Sequence, residues 1–220
     1  MEFIVNGKPR EIVPKAGEML SDILRERLGL IGTKIGCNEA ECGSCTVLIN
    51  GDPVLACVYP ADRVEGKEVL TIEGLASIQG LDSEREGELD INSLSILQQA
   101  FIKYGAVQCG FCTPGQIMTA YALLEKNQQP TEEAIRIALK DTLCRCGAYP
   151  SIIKAIKASA HCLRTGDPLE DINLNTSREP LEVIGTLQVR PDALGKVTGR
   201  ALFTDDLKFD GMLQARVKRA

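Results

Sequence analysis

Three cysteines crowd the stretch Gly36-Cys37-Asn38-Glu39-Ala40-Glu41-Cys42-Gly43-Ser44-Cys45 at the spacing C-x4-C-x2-C, and Cys57 follows as a fourth. Thiolates are soft metal ligands, and this spacing is the one that wraps a [2Fe–2S] cluster, two irons bridged by two sulfides. Such a loop must enclose a charged cluster rather than a point ion. Gly36 and Gly43 suit it, because a backbone without Cβ turns sharply and can aim its N–H groups at sulfur. A zinc site or a disulfide pair is the competing reading, but three cysteines on one loop sit awkwardly around a tetrahedral ion. A second group follows: Cys109 and Cys112 in Gln108-Cys109-Gly110-Phe111-Cys112, then Cys144 and Cys146 in Cys144-Arg145-Cys146-Gly147. C-x2-C with C-x-C is less diagnostic, and its residues alone leave iron–sulfur and zinc equally open. Of the nine cysteines in 220 residues, only Cys162 is left over.

The rest of the composition bounds the setting. A net charge of −5 argues against nucleic-acid binding, and a hydrophobic content of 44% supports a packed core. No apolar run is long enough to cross a membrane, and Met1-Glu2-Phe3-Ile4-Val5-Asn6-Gly7 lacks the pattern of a signal peptide, so the expected location is cytoplasmic. In a reducing compartment the cysteines are not expected to be disulfides.

The elements that must position these thiols fall into two halves. Phe3–Val5, Asn6-Gly7 and Glu11–Val13 read as a hairpin, with Ser21 as cap of a helix running to about Leu28 and Gly29 as its stop. Thr46–Ile49, Asn50-Gly51 and Val54–Cys57 read as a second hairpin, which folds Cys57 back toward the cysteine loop. Glu68–Ile72 is a further strand, so the first half is α+β. Gly80 to Asp90 is acidic and reads as a solvated linker. From Asn92 the pattern turns helical. Leu94, Leu97 and Phe101 mark one helix that ends at Gly105. Thr113-Pro114 opens the next as cap and first position, with Ile117, Tyr121 and Leu124 inward. A third starts at Pro130-Thr131 and carries Ile135, Leu139 and Thr142. A fourth follows Pro150-Ser151, with Ile152, Ile153, Ile156, Ala160 and Leu163 inward. Each cysteine pair therefore lies in a turn between helices.

Gly36-Cys37 to Cys45, Thr71-Ile72-Glu73-Gly74-Leu75, Gln108 to Gly115 and Cys144 to Gly147 together resemble the iron–sulfur part of the molybdenum hydroxylases, the xanthine dehydrogenase and aldehyde oxidoreductase enzymes. The resemblance covers residues 1 to about 165. It implies a β-grasp, ferredoxin-like domain over 1–76, an acidic linker over 77–91, and an all-α four-helix-bundle domain over 92–165. It implies a first [2Fe–2S] cluster on Cys37, Cys42, Cys45 and Cys57, and a second on Cys109, Cys112, Cys144 and Cys146. It further implies that Gln108 and Cys146 contact a molybdopterin cofactor. The partners implied are a molybdopterin-binding catalytic subunit or domain and a flavoprotein carrying FAD. Single electrons released when a purine, aldehyde or N-heterocycle is hydroxylated would pass through the two clusters to FAD or an external acceptor. No residue of this chain is expected to be a catalytic acid or base.

Residues 166–182 read as a linker. Residues 183–220 resemble the opening of the family's molybdenum-binding domain, or a docking tail, and are expected to need a partner for order. His161 reads as a surface imidazole and Cys162 as a small packed residue. Arg145 either offsets cluster charge or faces solvent. Asp205-Asp206 matches no metal-site spacing. Two other functions compete: a stand-alone ferredoxin-type carrier, which needs neither Gln108 nor the 183–220 stretch, and a zinc-bound structural module.

Overall fold

The computed structural model describes residues 1–75, 91–170, 190–213, 215, 217 and 218. The acidic linker, most of the 166–182 linker and Val183-Ile184-Gly185 lie outside these residues. The N-terminal half is a five-stranded mixed sheet in the order β2-β1-β5-β3-β4. Its strands are β1 (Glu2–Val5), β2 (Lys8–Glu11), β3 (Thr46–Ile49), β4 (Asp52–Leu55) and β5 (Glu68–Leu70). β1 runs parallel to β5, and the other pairs are antiparallel. Both hairpins turn on Asn-Gly with positive φ at each residue, 52° and 76° at Asn6-Gly7 and 51° and 85° at Asn50-Gly51. That is the geometry two-residue hairpin turns require.

β3 is buried on both faces, and the reason is the period of two along a strand. Val47 and Ile49 join Phe3, Val5 and Val69 in a core under α1, with Leu20, Ile23 and Leu24. Leu48 and Leu70 point the other way, into the core of the helical half. The sheet is thus the shared wall of two cores. α1 (Leu20–Asp22) continues as a wider helical turn over Ile23–Arg27. Its cap differs from the sequence expectation. Met19 N donates to Asp22 Oδ2 at 3.0 Å, while Ser21 is buried within the first turn, and its hydroxyl has no partner.

The helical half holds α2 (Ile96–Lys103), α3 (Thr113–Lys126), α4 (Glu132–Ala138) and α5 (Tyr149–Thr165). Ser95 caps α2 by accepting from Gln98 N, and Thr131 caps α4 by accepting from Ala134 N. α3 begins at Thr113 itself with Cys112 as cap, one residue before the expected cap, so Pro114 still falls where its missing N–H costs nothing. Leu97, Phe101, Ile117, Leu124, Ile135, Leu139, Ile152, Ile153, Ile156 and Ala160 are all buried as expected, whereas Leu163 is exposed, at the last turn of α5. The chain is therefore α+β. Among the described residues no helix is long and apolar enough to cross a membrane.

The C-terminal stretch departs from expectation. α6 (Ala193–Val197) places Ala193 and Val197 in the helical core, and Gln98 Nε2 donates to Val197 O at 2.8 Å. Gly199 packs its Cα against Gly32, leaving no room for a Cβ on either residue. The stretch from 190 to about 206 is thus a strap packed across this chain's own two halves.

Candidate metal centres

The first thiol group is built by a loop of unusual backbone. Asn38 (φ 58°), Ala40 (62°) and Gly43 (66°) all adopt left-handed conformations. Two non-glycine residues in that region cost energy that only a constrained site repays. The result is that Glu39 N and Glu41 N both donate to Cys37 Sγ, at 3.4 and 3.3 Å. Those bonds, Glu39's first, draw the Cys37 thiol down to about 7, and the Cys42 thiol hydrogen-bonds to it as well. Cys45 and Cys57 form the other pair. Ala56 N donates to Cys45 O at 3.2 Å, which folds the helical turn carrying Cys57 against the loop. Burial pushes the Cys45 thiol up to about 12, aided by its bond with Cys57 and the charge of Cys42.

The second group closes the same way. Gly110 (φ 89°) turns the Cys109–Cys112 loop, and Gly147 (φ 74°) turns the chain after Cys146. Cys109 lies beside Cys146, and Cys112 beside Cys144. Burial, then the neighbouring thiols, raises Cys109 and raises Cys112 far more. Cys146 is lowered, first by its bonds with Cys109 and in smaller part by the positive charges of Arg190 and Lys196. The Cys144 loop is fastened from both sides: Cys144 N donates to Tyr149 Oη (2.8 Å), Gln116 Nε2 donates to Thr142 O (2.9 Å), and Ala148 N donates to Cys144 Sγ (3.4 Å).

All eight cysteines expected at metal centres are thus brought into two groups, and none forms a disulfide. Each group consists of two thiol pairs: Cys37 with Cys42 and Cys45 with Cys57, then Cys109 with Cys146 and Cys112 with Cys144. A cluster of two irons needs this division, since each iron takes two thiolates and two shared sulfides. The donor set therefore fits the clusters. Gln108, Cys109 and Cys146 are exposed together at one edge, and Arg145 faces solvent. Cys162 is buried away from both groups, and His161 is exposed, 3.4 Å from Asp167.

The two loops touch. Leu143 N donates to Cys42 O at 2.9 Å, so a single hydrogen bond joins the residue of one thiol to the residue beside another, Cys144. Gly43 lies against Asp141 O and Thr142, and Gly115 against Gly43 O, with no space for a Cβ on either glycine. Phe111 packs on Gly36, and Phe203 of the strap meets Phe111 edge to face, 5.3 Å between centroids at 83°. Lys34 Nζ lies 4.8 Å over the Phe203 ring. Asp206 ends the strap between Arg25 (2.6 Å) and Lys34 (2.7 Å), and all three side chains are buried. Sequence reading gave Arg25, Lys34, Lys196, Phe203 and Asp206 no role beside the thiol groups. Their partners lie 88 to 181 positions away, and no local spacing signals such pairs.

The chain is similar to known iron–sulfur proteins. Residues 3–70 match the family model for a 2Fe-2S iron-sulfur cluster binding domain, and residues 71–157 match that for a [2Fe-2S] binding domain. The chain is 44% identical to the nicotinate dehydrogenase small FeS subunit of Eubacterium barkeri, over 70% of this chain and 89% of that protein. It is 42% identical to the xanthine dehydrogenase iron-sulfur-binding subunit of Escherichia coli O157:H7, over 71% of this chain and 91% of that one. The solved aldehyde oxidoreductase of Desulfovibrio gigas superposes with a TM-score of 0.79 at 32% identity, covering 94% of this chain. This chain spans only 22% of that enzyme's length. The chain belongs to the iron–sulfur portion of the molybdenum hydroxylase family, an oxidoreductase component that transfers electrons through two [2Fe–2S] clusters.

Proposed function

We propose that the chain relays single electrons from a molybdopterin site, by way of Cys109, Cys112, Cys144 and Cys146, to the cluster on Cys37, Cys42, Cys45 and Cys57, and from there to FAD or an external acceptor. The observation that carries this is the Leu143 N to Cys42 O hydrogen bond, which makes a short through-bond route between the two loops. When bound, each [2Fe–2S] cluster takes up and releases one electron at a time. The chain's residues set the conditions. Glu39 N and Glu41 N stabilise negative charge on the Cys37 sulfur, and Ala148 N does so on Cys144. Burial of Cys45, Cys57 and Cys144 keeps water from those sulfurs.

The finer architecture follows the same reading. Residues 1–76 form a β-grasp domain and 92–165 a four-helix bundle. Residues 183–220 open a molybdenum-binding domain whose substrate is a purine, aldehyde or N-heterocycle. Exposure of Gln108 and Cys146 at one edge supports their role as the contact to the pterin. The stand-alone carrier is disfavoured because such a carrier needs neither an exposed Gln108 beside the second thiol group nor the 183–220 stretch.

The test is electron paramagnetic resonance of the reduced protein. Cys37→Ser should alter one of two S = 1/2 signals and Cys109→Ser the other. If each substitution erased both signals, the assignment of four cysteines to each centre would be wrong.

A further inference from the structure

The strap lies beyond residue 157, where the second family model ends, yet it reaches the second thiol group through one side chain. Lys196 is only 8% exposed, an unusual place for a lysine. Its aliphatic stem covers Gly110 so closely that a Cβ there would collide with it. Its ammonium donates to Gln108 O at 3.1 Å and to Asp192 Oδ2 at 2.6 Å. Asp192 is shared with Arg190, whose Nε and Nη2 both donate to it. Two cations and one carboxylate leave this trio with one net positive charge beside the loop. Packing alone does not account for an ammonium here, since a methionine would cover Gly110 without the cost of burying a charge.

We propose that Lys196 is a positioning residue of the relay: it pins the Gln108–Cys112 turn from the strap and supplies a fixed positive charge that raises the reduction potential of the helical-domain cluster. This rests on the reading that Cys109, Cys112, Cys144 and Cys146 hold that cluster. Reduction adds one negative charge to the site, and a nearby fixed cation stabilises the reduced form. α6 keeps the cation in place, anchored by Val197 in the core and by Gln98 on its carbonyl.

The experiment is a redox titration of both cluster signals by electron paramagnetic resonance, on the full 220-residue chain carrying its clusters. Lys196→Met keeps the stem and removes the charge. It should shift the helical-domain cluster's reduction equilibrium about tenfold toward the oxidised form, about 59 mV for a one-electron couple, and leave the other cluster unmoved. Lys196→Arg should restore the wild-type potential. Asp192→Asn, at an exposed position, should move the potential the opposite way. Wild-type potentials in Lys196→Met, or a fall in Asp192→Asn, overturn the proposal. Should Lys196→Met lose the second signal through misfolding, Asp192→Asn decides alone: a rise supports the proposal and anything else overturns it. A wild-type chain with no second signal would instead remove the cluster reading beneath it.

Discussion

Ser21 and Gly43 show how single positions carry opposite burdens. The Ser21 hydroxyl is buried without a partner, so it costs desolvation and returns nothing. Ser21→Ala should leave stability unchanged or raise it by up to ~1 kcal/mol in urea unfolding; a clear loss would mean the hydroxyl is satisfied in solution. Gly43 is left-handed and pressed against the Asp141–Thr142 backbone. Gly43→Ala should cost about 1–3 kcal/mol. It should also weaken the magnetic interaction between the two cluster signals, because the seam between the loops must open. Unaltered spectra and thermal midpoint would show that the seam yields freely.

At the level of elements, the cysteine loop and its two Asn-Gly hairpins follow from local chemistry, and they were legible for that reason. Turn residues with positive φ and a fixed ligand spacing are sequence-local signals. The helices α2 to α5 were legible from apolar periodicity, and the misplaced details mark where local logic stops. Leu163 continues the inward stripe of α5 by spacing, yet in the last turn it is Cys162 that is buried and Leu163 that is exposed. Met19 rather than Ser21 begins α1, because the side chain of Asp22 reaches back to its N–H. The thiol groups were legible as groups of four, while their division into pairs was not. That division depends on distant segments meeting: Ala56 N on Cys45 O folds Cys57 onto the first loop, and Gln116 Nε2 on Thr142 O fastens the Cys144 loop against α3.

For the whole molecule, the strap is the element that sequence could not place, since its partners come from both halves. Its far end is a buried cluster of Asp206, Arg25 and Lys34. Burial would raise Asp206, but hydrogen bonds from Lys34 and Arg25 outweigh it and hold its carboxyl below the usual range. A carboxylate with a depressed folded pKa contributes stability above its unfolded value. That contribution is lost as pH falls through the folded value. Acidification below about pH 4 should therefore release the 200–206 segment, read as faster amide exchange there than in α6. Burial lowers Lys34, against the hydrogen bond and charge of Asp206 that favour its ammonium. Asp206→Asn leaves two cations buried without a counter-charge and should cost about 3–5 kcal/mol. Acid-dependent exchange that persists in this variant would place the switch elsewhere.

The Leu143–Cys42 bond also bears on how the protein is made. The chain emerges from its N-terminus, so Cys37, Cys42 and Cys45 are synthesised first, yet the wall that closes their loop, Asp141 to Leu143, comes about a hundred residues later. Until the helical half folds, the first loop is open on that side. Cluster insertion then has a natural window during synthesis, and folding of the helical half shuts it. A truncated chain of residues 1–75 should bind its cluster and surrender it readily to a chelator. The full chain should hold it, and equal loss rates from the two would remove this role for the later residues.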